Sequence, residues 1–457
     1  MRPRLYYGWV LVITLGITET ISWGVLYYAF TVFLAPMEAE LGWSRGATSG
    51  ALSLALLVAG LAAVPVGRWL DRHGPRLLMT LGSCVGSLLV LAWAAVRDLT
   101  QLYLLWAGIG LTMAALLYDP AFATATAWFE RQRLRAITAI TLVAGLASTI
   151  FIPLAGWLVT SLGWRQALVI LAGILALGTI TPHALLLRRR PEDLGLAPDG
   201  DPPLPVGEVL SRREGGPAGE ALPSPLARAH RRADNAPVAR SSEERPQREG
   251  SVSMGEALRH VSFRWLVAAF WLATLANIAV GVHLVPYLQD RGYDPGFAAA
   301  TAGLIGAMQV VARLVLGPLG DRTSPRVLAA LVLAVQPIAL LVLLLARATP
   351  GVFAFVVLFG AARGATTLVR PVLVAALYGR AQFASIAGVL QMAVSLAQAL
   401  APVSVGAAYD VLGTYEPILW TLVVVSTLAV VAVLPARRVD PDPSRSPGGA
   451  RPVQSEA

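Results

Sequence analysis

Residues 67–78 read GRWLDRHGPRLL, and residues 317–328 read GPLGDRTSPRVL. The first glycine, the Asp-Arg pair, the Pro-Arg pair and the last leucine occupy the same places in both copies. Each matched pair is separated by 250 residues. Both copies lie in a short charged break between two long apolar runs. A duplicated break of this kind predicts two halves of one design, both embedded in a membrane.

Composition supports a membrane protein. The chain is 56% hydrophobic and 14% charged, with a net charge of +9. A soluble domain of this length would need more polar surface to face water. All 36 basic residues are arginines, which excludes chemistry that depends on a lysine Schiff base. These arginines cluster in the breaks between apolar runs, so we interpret them as topology signals and expect no nucleic-acid partner.

Twelve stretches of at least about 18 mostly apolar residues are long enough to cross a hydrocarbon core of about 30 Å as helices. The first is too long for a removable signal peptide and is expected to remain as helix 1. We therefore predict an all-α integral membrane protein with twelve transmembrane helices in two parallel six-helix repeats. The predicted spans are 8–34, 46–66, 77–96, 100–124, 136–160, 165–187, 263–288, 297–320, 327–346, 352–376, 384–408 and 416–435.

The arginine distribution predicts the topology. In the short breaks on the side of the N-terminus, and immediately beside the first and last spans, we count thirteen arginines, against five in the breaks on the other side. This bias favours two cytoplasmic termini in a multi-pass protein of the cell membrane. The predicted domains are a first bundle over 1–190, a disordered cytoplasmic linker over 191–258, a second bundle over 259–438 and a disordered cytoplasmic tail over 439–457. The linker is rich in Arg, Glu, Pro, Gly and Ser and is too poor in apolar residues to form a core.

The repeat extends beyond the opening motif. Further pairs with the same 250-residue separation are Pro36 and Pro286, Gly42 and Gly292, Gly46 and Gly296, and Gly163 and Gly413. Parallel six-helix repeats place a substrate site near the bilayer midplane, between the halves. Rocking of one half against the other would expose that site to each side in turn.

The motif residues resemble a known family, the major facilitator superfamily. The resemblance rests on Gly67, Asp71, Arg72, Gly74 and Arg76 between helices 2 and 3, and on a weaker echo at Gly317, Asp321, Arg322 and Arg326. Within the superfamily the chain is similar to the monocarboxylate and oxalate/formate branch. That similarity rests on Gly8-Trp9, Tyr118-x-Pro120, the stretch WFERQR at 128–133, and Arg313. It implies the major facilitator fold and a protein that functions as a monomer.

We interpret the duplicated motif as a conformational gate formed by Gly67, Asp71, Arg72, Gly74, Arg76, Gly317, Asp321 and Arg322. Glycine permits close helix approach and a tight turn, and an aspartate can accept hydrogen bonds from helix N-termini and arginines. The alternative is that any short loop between spans favours Gly, Asp and Arg for turning and orientation.

Charges inside apolar runs are costly and usually face a cavity or a partner. Arg313 lies in helix 8, and a guanidinium offers two parallel donors to a carboxylate. The resemblance implies that an arginine at this position binds the substrate carboxylate. The alternative is a structural pair with an acidic residue. Animal relatives carry an aspartate four residues earlier, where this chain has Gln309, so their proton-handling pair is incomplete here.

Helix 10 carries Arg363 near its centre and Arg370 nearer the inner end. We predict that Arg363 adds positive potential to the cavity, with a structural pair to Glu19 or Asp119 as the alternative. We expect Arg370 to extend to the interface.

Glu19 in helix 1 and His283 in helix 7 are candidates for proton coupling, because a buried carboxylate or imidazole can exchange a proton near neutral pH. His283 is also a candidate for substrate contact. The alternatives are an arginine pair for Glu19 and a hydrogen-bonded core role for His283. Tyr28, Asn277 and Gln391 complete the predicted substrate contacts, with aromatic packing or helix–helix hydrogen bonds as the alternative. Tyr415 lies at a span end, where an interfacial aromatic residue is expected.

These observations predict a secondary transporter of small organic anions, with monocarboxylates as the expected class and a proton or a counter-anion as the coupled species. Two alternatives remain: a drug exporter of the same fold, and a nontransporting membrane sensor that signals through the linker. An enzyme is not expected, because the sequence offers no nucleophile with a base. It also offers no metal-ligand spacing and no phosphate-binding glycine loop, so no cofactor or metal is predicted.

Overall fold

The computed structural model describes residues 6–200, 258–316, 324–378 and 383–436, and the regular structure in these ranges is helical. Twelve of the helices are long and apolar enough to cross a membrane, as predicted. They are α1 Tyr7–Leu41, α2 Arg45–His73, α3 Pro75–Trp93, α4 Leu99–Trp128, α5 Arg133–Leu162, α6 Trp164–Leu186, α7 Val261–Asp290, α8 Pro295–Val315, α9 Pro325–Leu345, α10 Thr349–Tyr378, α11 Ile386–Leu412 and α12 Glu416–Val433. An even number of spans leaves residues 6 and 436 on one side, called here the terminal side. The other side is called the distal side.

Several helices extend beyond the predicted spans. The span predicted over 46–66, for example, belongs to a helix that runs over Arg45–His73. Hydropathy marks only the part of a helix that needs an apolar solvent, and the polar last turns carry no such signal. The linker also begins later than predicted. Residues 191–200 form two short 3₁₀ turns, Pro191–Leu194 and Pro198–Gly200. The rest of the predicted linker, except for residue 258, and the predicted tail lie outside the described residues.

The backbone repeats the duplication seen in the sequence. Gly42 follows α1 with φ 69°, and Gly292 occupies the equivalent place after α7 with φ 84°. Gly163 between α5 and α6 and Gly413 between α11 and α12 have φ of 82° and 66°. Residues other than glycine rarely adopt positive φ angles, which explains why glycine stands at all four positions.

The hydrophobic core shows where the two bundles meet. One continuous cluster of buried side chains includes the first bundle and the distal half of the second. The terminal half of the second bundle has a separate core, with Phe263, Tyr378, Ile386 and Val433 among its members. The bundles are therefore packed together at the distal side and have separate cores at the terminal side.

Small residues bring α2 close to α11 at the distal end. A Cβ added at Gly406 would lie 2.8 Å from the carbonyl oxygen of Arg45. A Cβ added at Gly60, further along α2, would still lie 3.7 Å from Ser395, whereas one added at Gly67 two turns later would meet no atom of the described residues within 4 Å outside its own helix. Contact between these helices thus ends near mid-depth, and the space between the bundles opens toward the terminal side.

The bundles also meet along a second seam, between α5 and α8. This seam extends further toward the terminal side than the contact between α2 and α11. Thr149 donates a hydrogen bond to the carbonyl oxygen of Gly303 at 2.9 Å, and Pro153 packs against the same glycine. Gly306 faces Ser148 in the next turn. Close helix contact of this kind is typical of small residues in membranes.

Candidate substrate site between the two bundles

Arg313 lies at the terminal end of the α5–α8 seam. Its side chain is half-buried, and Nη1 donates to the carbonyl oxygen of Thr141 on α5 at 3.1 Å. Nε is buried without a hydrogen-bond partner. Within the described part of the chain, no carboxylate forms an ion pair with this guanidinium. The predicted alternative, a structural acidic partner, is not found there.

Arg363 on α10 approaches the first bundle. Its guanidinium carbon lies 5.9 Å from the centre of the Tyr28 ring, and the Tyr27 hydroxyl is close enough to interact electrostatically. A Cβ added at Gly281 on α7 would come within 2.9 Å of its Nη1, so glycine leaves room for this side chain. Neither of the predicted acidic partners of Arg363, Glu19 and Asp119, forms an ion pair with it among the described residues.

A π-helical turn over Gly24–Tyr28 shapes α1 at this point. Its extra residue per turn places two consecutive tyrosines near Arg363, with the Tyr27 and Tyr28 ring centres 5.0 Å apart. Gly24 allows the turn to form, because a side chain there would collide with the ring of Phe151 on α5. Short π-helical segments often occur at functional sites, where they reorient side chains.

Four further ring contacts extend this aromatic group. Trp23 lies 5.5 Å from Tyr27, 6.2 Å from Tyr28 and 5.1 Å from Tyr118, measured between ring centres. Tyr118 stacks on Phe122 at 5.0 Å. The helix hydrogen bonding of α4 is interrupted at Leu117, whose φ and ψ are −81° and −164°, and Tyr118 begins the next helical segment. We call Trp23, Tyr27, Tyr28, Tyr118 and Phe122 the aromatic group.

The aromatic group and the two arginines share one region. The Tyr118 hydroxyl, on the first bundle, is within electrostatic range of Arg313 and Arg363 on the second, and also of Glu19. Trp23, Tyr28, Tyr118 and Phe122 are all partly exposed. Their exposed surface therefore borders the space between the bundles.

Glu19 lies one turn before Trp23 on α1. Its side chain is fully buried, and neither carboxyl oxygen has a hydrogen-bond partner. Trp23 Nε1 and the Tyr27 hydroxyl are likewise buried and unpartnered. Residues four apart on a helix lie on one face, so three unsatisfied polar groups follow each other along α1. Unsatisfied groups of this kind are rare in folded proteins, so this face of α1 is a candidate site for binding a polar ligand or a proton.

His283 lies apart from the arginines, in the distal packing. Its Nδ1 is 3.0 Å from the Tyr415 hydroxyl, and its Nε2 is 3.0 Å from the carbonyl oxygen of Pro402. Both ring nitrogens are therefore engaged in this conformation, which leaves none for a substrate. Tyr415 precedes the first residue of α12, at the span end as predicted, but only 4% of it is exposed, so its side chain packs inside the protein.

The remaining predicted contacts behave differently from one another. Asn277 is half-buried on α7, and its side chain forms no hydrogen bond with another described residue. The Gln391 side-chain oxygen accepts from Nη2 of Arg370 at 2.6 Å, and its amide donates to Ser395 at 3.4 Å. Arg370 is thus held by a neighbouring helix, and its predicted extension to the interface is not seen.

Sequence comparison agrees with this geometry. The model of the Major Facilitator Superfamily matches residues 14–355 and 306–456. The chain belongs to the major facilitator superfamily. Its relatives include monocarboxylate transporter 13 of Bos taurus, 28% identical over 423 residues that cover 90% of this chain and 84% of the relative. Monocarboxylate transporter 11 of Homo sapiens is 30% identical over 339 residues, 71% of this chain and 59% of that protein.

Solved structures share the fold at low sequence identity. A bacterial homolog of the human lysosomal transporter Spinster, in an inward-facing and occupied conformation, has a TM-score of 0.68 at 16% identity and covers 94% of this chain and 96% of its own. The nucleoside transporter NupG has a TM-score of 0.67 at 13% identity, with coverage of 93% and 98%. The predicted resemblance is thus confirmed. This superfamily member is a multi-pass membrane transporter of small organic molecules and not an enzyme.

The superfamily motif over 67–78 lies on the terminal side. Gly74 has φ 80°, and its missing side chain leaves room for Arg189, which donates to the carbonyl oxygen of Asp71 at 2.7 Å. Arg76 donates to the carbonyl oxygen of Ala184 at 2.6 Å. The side chains of Asp71 and Arg72 are exposed. The second copy of the gate, Gly317, Asp321 and Arg322, lies outside the described residues.

At the distal side, Arg45 joins the two bundles, a role that the sequence analysis missed. It contacts Glu38 of the first bundle at 3.0 Å, and Nη1 reaches Asp290 at 2.9 Å and the Tyr415 hydroxyl at 3.1 Å in the second. Its guanidinium lies 4.1 Å from the centre of the Tyr409 ring. Only 8% of the side chain is exposed.

Asp410 of α11 strengthens the same seam. Its two carboxylate oxygens accept from the backbone amides of Arg45 and Gly46 at 2.9 Å each. These amides begin α2, where the positive end of the helix favours a negative charge. Acidic and basic residues near several span ends were the available sequence signal, but nothing in the sequence paired them.

Proposed function

We propose that this protein is a secondary transporter that moves small organic anions, with monocarboxylates as the expected class, across the cell membrane by alternating access. The observation that carries the proposal is Arg313, a cation at membrane depth whose guanidinium has no acidic partner among the described residues. Burying an uncompensated charge is costly, and a substrate carboxylate would offset that cost. The names of the relatives support the same substrate class.

Arg313 and Arg363 would act together. A carboxylate can accept two parallel hydrogen bonds from one guanidinium, and a second positive charge raises the local anion concentration. Asn277, on the same helix as Gly281, is a further candidate contact. We assign no direct substrate contact to His283 in this conformation, because both of its nitrogens are engaged.

Glu19 supports coupling to protons. A fully buried carboxyl group without a donor is favoured in its neutral form, so this conformation would hold a proton there. In a conformation that admits water, the proton could leave. A counter-anion is the alternative coupled species. It would bind the same arginines and require no titration of Glu19.

The conformation described here would be open to the cytoplasm if the arginine bias correctly assigns the terminal side. Closure of that side would bring the motif residue Asp71 toward the second bundle, where it would act as part of a gate. Both six-helix bundles belong to one chain, which supports a functional monomer.

A counterflow assay in proteoliposomes tests the proposal. Vesicles loaded with an unlabelled carboxylate should accumulate the labelled compound, and a panel of short monocarboxylates, dicarboxylates and uncharged analogues identifies the class. Arg313→Ala should abolish accumulation, and Arg313→Lys should retain little of it, because an ammonium cannot form the paired hydrogen bonds. Arg97→Ala, at an exposed distal position, is the control and should transport normally.

Full accumulation by Arg313→Ala would refute the anion site. Uptake of amphipathic cations or neutral dyes, without uptake of carboxylates, would favour the alternative of a drug exporter.

A further inference from the structure

We propose that the preferred substrate is an aryl carboxylate, whose ring packs against the aromatic group while Arg313 and Arg363 hold its carboxylate. This inference rests on the proposed function and specifies its substrate class. Its basis is the juxtaposition of several aromatic rings of one bundle with two cations of the other that have no acidic partner among the described residues.

The rings have the arrangement that an aromatic ligand needs. Trp23, Tyr28 and Tyr118 are partly exposed within the membrane-spanning region and lie 5.1 to 6.2 Å from ring centre to ring centre. Their planes are inclined by 42° and 44°, so neither pair is a closed stack. Aromatic contacts favour offset or edge-on approach at 4.5–7 Å, and an open edge can accept another ring in this range.

Charge lies at one border of this surface. The Arg363 guanidinium is 5.9 Å from the Tyr28 ring centre, and the Tyr118 hydroxyl interacts electrostatically with both arginines. A planar acid could thus place its carboxylate between the guanidiniums and its ring beside Tyr28 and Tyr118. A dianion fits this surface less well, because its second charge would face rings and the unpaired carboxyl of Glu19.

The unpartnered polar atoms add a preference within the aryl class. The Trp23 indole nitrogen lies beside Glu19 and the Tyr27 hydroxyl beside Arg363, and both are buried without a hydrogen bond of normal geometry among the described residues. A ring that bears a hydroxyl, ether or carbonyl oxygen could accept one of these hydrogen bonds, whereas an unsubstituted ring leaves both unsatisfied.

The test compares two acids of similar size in wild-type proteoliposomes. Counterflow of labelled benzoate is measured in competition with unlabelled benzoate and with unlabelled cyclohexanecarboxylate, which has the same carboxylate and a saturated ring. We expect benzoate to compete at a roughly 3- to 10-fold lower concentration, the range expected for one or two aromatic contacts. Para-hydroxybenzoate should compete at least as well as benzoate.

Variants separate ring recognition from general binding. Tyr118→Leu should remove the preference for benzoate, so that benzoate and cyclohexanecarboxylate then compete at similar concentrations. Tyr118→Phe should retain the preference, which also shows that this position tolerates replacement.

The possible failures are distinguishable. Equal competition by the two acids, with robust counterflow, would overturn the aryl preference and leave the proposed function intact. A preference that survives in Tyr118→Leu would overturn the assigned surface. Absence of counterflow with every carboxylate would overturn the proposed function together with this inference.

Discussion

At the scale of single residues, a polar group in apolar surroundings is informative, because burying it without a partner costs free energy. Glu19 is 0% exposed and has no hydrogen-bond donor on either oxygen. The groups facing this region from the neighbouring helices are Tyr118 and Asp119 of α4, with Arg313 and Arg363 across the space between the bundles. None of them forms an ion pair with Glu19 among the described residues. A site that cannot satisfy an ionised carboxylate is suited to gain a proton in one conformation and lose it in another.

The change Glu19→Gln keeps the shape of the neutral carboxyl but cannot release a proton. Under the proton-coupled proposal, carboxylate uptake driven by a pH gradient should fall to its level without the gradient, while counterflow at equal pH continues. Uptake and the internal pH are followed together in proteoliposomes that contain a trapped fluorescent pH indicator. Glu416→Gln, the same chemical change at an exposed position at the start of α12, is the matched control. Gradient-driven uptake in Glu19→Gln equal to that of the wild type would rule out this proton carrier and favour anion exchange.

The same scale shows which candidate site residues the sequence can identify. Arg313, Arg363 and Glu19 could be found because each is a charge within an apolar run, and that signal is local. Arg45 carried no such signal, because it stands at a helix start like any arginine that sets topology. Its partner Asp290 is 245 residues away in the chain, and only the folded structure brings the two together.

At the scale of elements, hydropathy predicted the twelve helices, because an apolar segment in a membrane must satisfy its backbone hydrogen bonds internally and therefore forms a helix. It could not predict the π-helical turn at Gly24–Tyr28, which depends on how Gly24 meets Phe151 of another helix. It also missed the ordered start of the linker. That segment is polar, and its order depends on a contact with a loop about 68 residues earlier in the chain.

Asp199 provides this contact. Its carboxylate accepts hydrogen bonds from the backbone amides of Glu130, Arg131 and Gln132, at 2.8 to 3.1 Å, just before α5 begins. Burial raises the pKa of Asp199, but the hydrogen bonds from the amides of Arg131, Gln132 and Glu130 lower it more, so its pKa lies below the ordinary value. The contact therefore resembles a helix cap supplied by a distant segment.

A depressed carboxyl pKa means that the contact stabilises the docked segment above the ordinary pKa of about 3.9, and that this stabilisation is lost as pH falls through the lowered value. Asp199→Ala should reduce the free energy that stabilises the docked segment by about 1 kcal/mol, the usual effect of losing a helix cap. Pepsin cleavage within residues 191–200, followed by mass spectrometry from about pH 5 downward, measures the docking. We expect Asp199→Ala to be cleaved readily throughout, and the wild type to be cleaved only at the acidic end. Similar cleavage of Asp199→Ala and the wild type at about pH 5 would contradict this role. Asp199→Asn, which keeps one acceptor oxygen and tolerates the residue's φ of 58°, should lie between them.

At the scale of the whole molecule, the bundles contact each other differently at the distal end and at the terminal end. The distal end is closed by helix contact and by the Arg45 group, whereas the terminal end has separate cores and exposed motif side chains. Alternating access requires the distal closure to be reversible. The charged hydrogen bonds around one guanidinium can break without unfolding either bundle, but distal opening must also separate the apolar and small-residue contacts that join the bundles there.

Removal of Arg45 tests this view of the transport cycle. Arg45→Ala leaves Glu38 and Asp290 without the cation that joins them, so the distal-closed state should lose stability relative to the distal-open state. Each 1.4 kcal/mol lost changes the ratio of the two states tenfold, and charged hydrogen bonds contribute about 1.5–3 kcal/mol.

Double electron–electron resonance between spin labels at Ser161→Cys and Arg347→Cys, in a Cys84→Ser background, reports the distal separation. Arg165→Ala is the control, since the hydrogen bonds that the Arg165 side chain forms within the described part of the chain go to Glu40, Ala94 and Val96 of its own bundle. A longer distance population should appear in Arg45→Ala and not in Arg165→Ala. An unchanged distribution would mean that the helix contacts at Gly46 and Gly406, and not the charges, hold the distal end closed.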